Sequence, residues 1–280
     1  MQMPLPKIPL SRWIDSGLDF LIENFSFITK AISEVTTEGI NLFVNVMEFF
    51  PPWVVIIALA ILTWYLGGKK IGIFSFLGFM LIWNLGLWKA TISTMALVLV
   101  ATLIAVGFGV PLGILAALNE KFYRFVMPVL DFMQTMPAFV YLIPAIPFFG
   151  LGAVSAVFAT VVFAMPPAIR LTSLGIRQVP TELIEAADAF GSTKRQKLLK
   201  VQLPLAMPTI MAGINQTIML SLSMVVIAAM IGAAGLGGEV LRAIQRFQPG
   251  RGFEAGLGVV VLAIILDRIT QSIGKKNNNK

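Results

Sequence analysis

Residues 179–204 read VPTELIEAADAFGSTKRQKLLKVQLP. Pro180 and Thr181 are suited to open a short helix, and Glu182 and Glu185 in its first turns complement the positive end of the helix dipole. Gly191 ends that helix, because glycine accepts the left-handed backbone a helix terminus needs. Ser192 or Thr193 then caps a second helix, which starts at Lys194 and runs basic up to Pro204. The expected product is two short helices at an angle. Ala186 and Ala187 are small enough to let another protein's surface approach closely.

What lies on either side decides the setting. Of the 280 residues, 57% are hydrophobic and only 12% charged, and the mean hydropathy is +0.86. A water-soluble domain of this size carries about a quarter charged residues. The apolar residues come in blocks that match a bilayer core of about 30 Å, which takes roughly 20 helical residues to cross. The chain therefore reads as an all-α polytopic membrane protein. It holds no Cys and no His, which excludes disulfides and thiolate metal sites and removes the commonest general acid–base group and metal ligand. No metal site and no catalytic residue is expected. The formal charge of +7 sits in short loops, where it sets orientation and meets lipid headgroups rather than nucleic acid.

Residues 1–9 lack the apolar core of a signal peptide. From Leu10 to Phe50, Trp13, Ile14, Leu18, Leu21, Ile22 and Phe25 recur at helical spacing opposite Arg12, Asp15, Asp19 and Glu23. Segment 1–50 is expected to be extracellular and interfacial, as one amphipathic helix or a helical hairpin on the membrane surface. Pro51 and Pro52 end it. Segment 51–90 holds two accessory spans, Trp53–Leu66 and Ile71–Trp88, joined by a basic turn at Gly67-Gly68-Lys69-Lys70. Segment 91–273 is the core, with five spans: Ala90–Leu118, Val126–Phe149, Leu151–Ile169, Leu205–Ile231 and Phe253–Ile273. Between them lie a short polar loop Asn119–Arg124, the long loop from Arg170 to Gln202 and a glycine-rich loop Gly232–Gly252. In the third span Gly107, Gly109, Pro111 and Gly113 allow close packing or a kink. Pro137, Pro144 and Pro147 interrupt the fourth. Residues 274–280 form a tail.

Seven spans put the termini on opposite sides. Lys69, Lys70, Lys121, Arg124, Arg170, Arg177 and the basic residues of loop 178–204 share a side with Arg268 and the C-terminal lysines. They outnumber those on the other side by roughly two to one. That side is expected to be cytoplasmic, with the N-terminus outside and the C-terminus inside.

Polar residues within spans usually face the bundle interior. Gln134, Met136, Tyr141, Asn215, Gln216, Ser221 and Met224 are the candidates for a translocation pathway, against the plainer role of packing and interhelical hydrogen bonding. Asp131 is expected near the cytoplasmic end. Tyr141, Phe139 and Phe148 could also meet a quaternary ammonium through cation–π contact.

With these residues in place the loop resembles the EAA loop of ABC importer permeases. Glu185, Ala186, Ala187, Gly191, Leu203 and Pro204 fall on that pattern, and Val201 stands where Ile is usual. The stretches LDFMQTMPAFVY (130–141), INQTIMLSLSMV (214–225) and GAAGLG (232–237) are similar to permeases for glycine betaine and related compatible solutes. The resemblance implies the transmembrane domain of a type I ABC importer in a prokaryotic cytoplasmic membrane, working by alternating access. It implies as partners an ABC ATP-binding subunit, which binds ATP and Mg and docks on loop 178–204, an extracellular substrate-binding protein, and a second permease copy forming a homodimer. No phosphate-cradling GxxxxGK[ST] occurs here, so no cofactor is expected in this chain. Proline, choline or carnitine is the alternative cargo. An ATP-independent transporter would need coupling carboxylates or an inverted repeat, and mid-span acidic residues are nearly absent. An intramembrane enzyme lacks its His, Cys or nucleophile motif.

Overall fold

The computed structural model describes residues 9–278, and their regular structure is helical throughout. Residues 1–8 and 279–280, which belong to the expected N-terminal segment and tail, lie outside the described residues. The helices are α1 (Leu10–Phe49), α2 (Pro52–Gly67), α3 (Lys69–Asn84), α4 (Trp88–Leu118), α5 (Glu120–Thr135), α6 (Leu142–Phe149), α7 (Ala153–Arg177), α8 (Thr181–Ala189), α9 (Lys194–Lys197), α10 (Leu203–Ile227), α11 (Leu236–Gln245) and α12 (Pro249–Asn278).

Three of them form the centre: α7 lies between α4 and α10, and α4 also meets α10. Glycine makes this approach possible. A Cβ on Gly113 of α4 would fall 2.6 Å from the Ile169 carbonyl oxygen of α7, and one on Gly213 of α10 would fall 3.0 Å from the Pro167 carbonyl oxygen. In lipid, helix association depends on such close backbone contact, because apolarity alone does not separate protein from solvent. Gly113→Val should therefore cost about 1–3 kcal/mol through overpacking, read as a lower melting temperature of the detergent-solubilised protein. In the third span Gly109 and Gly113 serve close packing, while a Cβ on Gly107 would meet nothing within 4 Å, and α4 continues through Pro111. The α2–α3 hairpin packs on α12, and α1 lies along α4, α6 and α7.

Several expected boundaries are corrected. For the N-terminal segment the first of the two expected forms is present: Leu10–Phe49 is one 40-residue helix, with a kink at Phe25. Its second half docks on the core, with Thr36 and Ile40 buried and Gly39 facing Val100. The polar loop Asn119–Arg124 is the start of α5, because the Asn119 side chain caps the helix by accepting from the Lys121 and Phe122 amides. The span expected to end at Ile169 continues to Arg177, since Arg170 finds an ion pair with Asp131. The glycine-rich loop contains α11, and α12 begins at Pro249. The helix from Lys194 does not stop at Pro204 but runs on to Ile231. A π-turn over Leu198–Gln202, with the Leu203 amide bonding to the Leu198 carbonyl, widens the helix just where the proline ring would collide with a normal turn.

Three continuous helices are long and apolar enough to cross a bilayer among the described residues: Trp88–Leu118, Ala153–Arg177 and Lys194–Ile231. The accessory helices α2 and α3 have 16 residues each, about 24 Å at 1.5 Å per residue, and α2 is bent by 108° from α1. The expected fourth span is broken, with α5 and the segment Ala138–Phe149 meeting at 111°. Together they still travel the length of α7. Glu120 pairs with Arg177, Asp131 with Arg170, the Tyr141 ring with Phe163, and the Gly150 carbonyl accepts from Ser155. That order is monotonic, so the bent pair runs from one end of α7 to the other and does not fold back.

Candidate functional site

Loop 178–204 is an elbow projecting from the end of the bundle where α7 stops and α10 starts. Its first arm, α8, has no buried residue. Gly191 takes the left-handed backbone, φ +72°, and completes a Schellman cap: the Ser192 amide donates to the Ala187 carbonyl (3.0 Å) and the Gly191 amide to the Asp188 carbonyl (2.9 Å). Of the two possible caps for the second arm, Thr193 is the one used. Its hydroxyl accepts from the Gln196 amide while the Gln196 side chain accepts from the Thr193 amide, a reciprocal capping box. Lys197 Nζ reaches both carboxylate oxygens of Asp188 at 2.7 Å, tying the arms together. The elbow is thus stiff at its hinge, although its surface is open.

On that surface Glu185 and Ala186 are exposed, Ala187 is half-buried and Gly191 is exposed. Glu185 makes no ion pair among the described residues. Leu203 and Pro204 are not part of the protrusion. Leu203 packs on a small core of Ile176, Ala206 and Ile210, and Pro204 sits in the first turn of α10. These two root the elbow; Glu185, Ala186 and Gly191 present it.

The pathway candidates do not converge in the single chain. Gln134 and Gln216 are exposed, and Met136 is half-buried against the main core. Tyr141 is buried, its hydroxyl donating to the Met133 carbonyl across the break between α5 and α6. Phe139 is exposed, while Phe148 packs on Phe149. Ser221 and Met224 are buried between helices. Asn215 donates to Asp267 of α12 at 2.9 Å, and Gln271 donates to both oxygens of that carboxylate at 2.8 Å. Asp267 is not marked by sequence, because an acid within two turns of a helix end reads as a loop-edge residue. Nor does sequence mark the Asp131–Arg170 and Glu120–Arg177 pairs, the stacking of Arg177 on Tyr123 at 4.0 Å or the exposed Phe190. The capping box has a legible signal, Thr followed three residues on by Gln.

Comparison with known proteins gives a family and a fold. Residues 109–278 match the model of the binding-protein-dependent transport system inner membrane component. The chain is 54% identical over 276 residues to the glycine betaine/carnitine transport permease protein GbuB of Listeria monocytogenes, covering 97% of this chain and 98% of that one. It is 51% identical over 276 residues to the glycine betaine transport system permease protein OpuAB of Bacillus subtilis, covering 99% and 98%. A chain of the MetNI methionine ABC transporter, solved in inward-facing conformations, superposes with a TM-score of 0.63 at 24% identity, over 68% of this chain and 94% of that one. That last likeness speaks for the fold.

Proposed function

We propose, on the premise that this chain belongs to the inner membrane components of binding-protein-dependent transport systems, that it is the permease subunit of an ATP-driven importer for glycine betaine or a close chemical relative. The observation that carries the coupling role is the elbow: a braced, solvent-facing two-helix projection continuous with a core helix. Its exposed Glu185–Ala186 face fits a groove on an ATP-binding subunit, which holds ATP and Mg; this chain supplies no bond chemistry. Closure of two such subunits displaces the elbows, and α7 and α10 carry the displacement into the bundle, exposing the pathway to alternate sides.

The elbow end is the cytoplasmic one in this reading, with the N-terminus outside and the C-terminus inside. The excess of Lys and Arg at that end supports it. A second copy faces the exposed stripe of α10 that includes Ala212, Gln216 and Ser223, since polar side chains in a span turn from lipid toward protein or water. An extracellular binding protein delivers the cargo. Two relatives above 50% identity along nearly their whole length are glycine betaine permeases, which supports that substrate; carnitine is the runner-up, because the Listeria relative's name includes it.

Affinity purification of the tagged chain from its own membranes tests the reading. An ATP-binding subunit is expected to co-purify stoichiometrically, and ATP-dependent glycine betaine uptake is expected on reconstitution with the binding protein. Uptake persisting without any ATP-binding subunit would overturn it.

A further inference from the structure

Another Schellman cap lies at the end of the bundle opposite the elbow, where α11 turns into α12. The Gln248 amide donates to the Ala243 carbonyl at 2.8 Å and the Phe247 amide to the Ile244 carbonyl at 3.2 Å. This geometry needs a left-handed residue just past the helix, the place Gly191 fills after α8. Here it is Phe247, with φ +54°, the only non-glycine residue with positive φ among the described residues. A bulky side chain in that conformation costs on the order of 1–2 kcal/mol, which glycine would avoid. Packing within the chain does not compensate, for Phe247 is 92% exposed. Strain held at such a point directs attention to function.

The surroundings indicate what the ring would meet. On one side an apolar hollow of about 540 Å³ is lined by Val240, Ile244, Phe247 and Pro249. On the other, a cavity of about 310 Å³ is lined by Arg242, Arg246, Arg251, Glu239 and Glu254. Arg242 pairs with Glu239, whereas Arg246 and Arg251 have no carboxylate partner among the described residues. Anchoring aromatics ringed by arginine are the composition of binding hot spots.

We propose that the turn 242–251 is a docking surface for an acidic protein face, with Phe247 as its anchor and Arg246 and Arg251 as its steering charges. Resting on the importer reading, the partner is the extracellular binding protein, whose carboxylates would meet the arginines and whose apolar socket would take the ring. A protein face suits this site better than an anionic lipid surface does. Glu239 and Glu254 interleave with the arginines, and such mixed charge is drawn only weakly to a uniformly negative layer but can be matched group by group by a patterned one.

The test uses the permease–ATPase complex in phosphatidylcholine nanodiscs, titrated with the purified binding protein of the same system. Phe247→Gly relieves the strain while removing the ring. It is expected to keep or raise the melting temperature and leave basal ATP hydrolysis unchanged, while binding weakens about ten-fold or more. Arg246→Glu with Arg251→Glu should slow association and invert its salt dependence, so that added salt speeds it. Wild-type affinity in Phe247→Gly would overturn the anchor and leave the importer reading standing. If the variant instead differs from wild type only when phosphatidylglycerol is added, the turn contacts lipid and the proposal falls. Absence of binding by the wild-type complex itself would count against the importer reading.

Discussion

Glu185→Lys should reduce uptake at least ten-fold while leaving the protein folded, inserted and as heat-stable as the wild type. The expectation follows from two properties of the residue. Glu185 is exposed and makes no ion pair among the described residues, so the fold loses only a small helix-dipole contribution when its charge is reversed. If the elbow docks in a groove of an ATP-binding subunit, the same reversal sets a like charge or an unmatched one in the interface, and disrupting a residue at the centre of an interface costs about 2 kcal/mol or more. Gly191→Val gives an independent version of the same experiment. A Cβ at Gly191 meets nothing within 4 Å, so no clash arises, but a β-branched residue at φ +72° disfavours the Schellman cap by roughly 1–2 kcal/mol. That loosens the angle between the elbow's arms without touching the bundle. Uptake in proteoliposomes, co-purification of the ATP-binding subunit and melting temperature should be measured together. Loss of uptake with retained melting temperature supports docking; unimpaired uptake in both variants would sink it.

Why the elbow is legible in the sequence and the bundle less so has a physical explanation. Capping is local. Pro180, Gly191 and Thr193 act on amides within four residues of themselves, and the arms form where those residues put them. The membrane setting is equally plain, because a run such as Trp88–Leu118 has few other homes. Sequence misleads where a distant partner rescues a polar residue. Arg170 and Arg177 read as loop because nothing nearby in sequence neutralises them, yet Asp131 and Glu120 of α5 do. Pro204 reads as a stop, but a π-turn one step earlier absorbs it. Asn119 alone, not the six residues following α4, is enough to reset the helix. The polar pathway candidates are of two kinds. Gln134 and Gln216 face out from the chain, whereas Asn215 and Ser221 are occupied or enclosed within it, and no periodicity separates these cases.

Reversing Arg170 to Asp should cut uptake several-fold, and the charge swap Asp131→Arg with Arg170→Asp should restore most of it. Only three residues, Gln178, Val179 and Pro180, separate the end of α7 from the elbow's first arm, α8, so a displaced elbow moves the last turns of α7 first. Those turns grip α5 at two rungs. Arg177 bonds Glu120 at 2.7 Å and stacks on Tyr123, and two helical turns further in Arg170 bonds Asp131. From there α5 leads to the 111° break before Ala138, which makes α5 a lever on a broken span. The Asp131 side chain is largely exposed, so the pair contributes about 0.2–1 kcal/mol, and turning attraction into repulsion roughly doubles that, enough to shift a conformational equilibrium several-fold. With Arg170→Asp the rung turns repulsive, and the elbow should move without the lever. ATP hydrolysis should then continue while solute transported per ATP falls, a separation that simple unfolding cannot produce because both would be lost together. The swapped pair restores attraction with its polarity inverted and should recover the ratio. Normal coupling in Arg170→Asp would show that the rung carries no force, and failure of the swap in a folded protein would assign Arg170 a role other than pairing with Asp131.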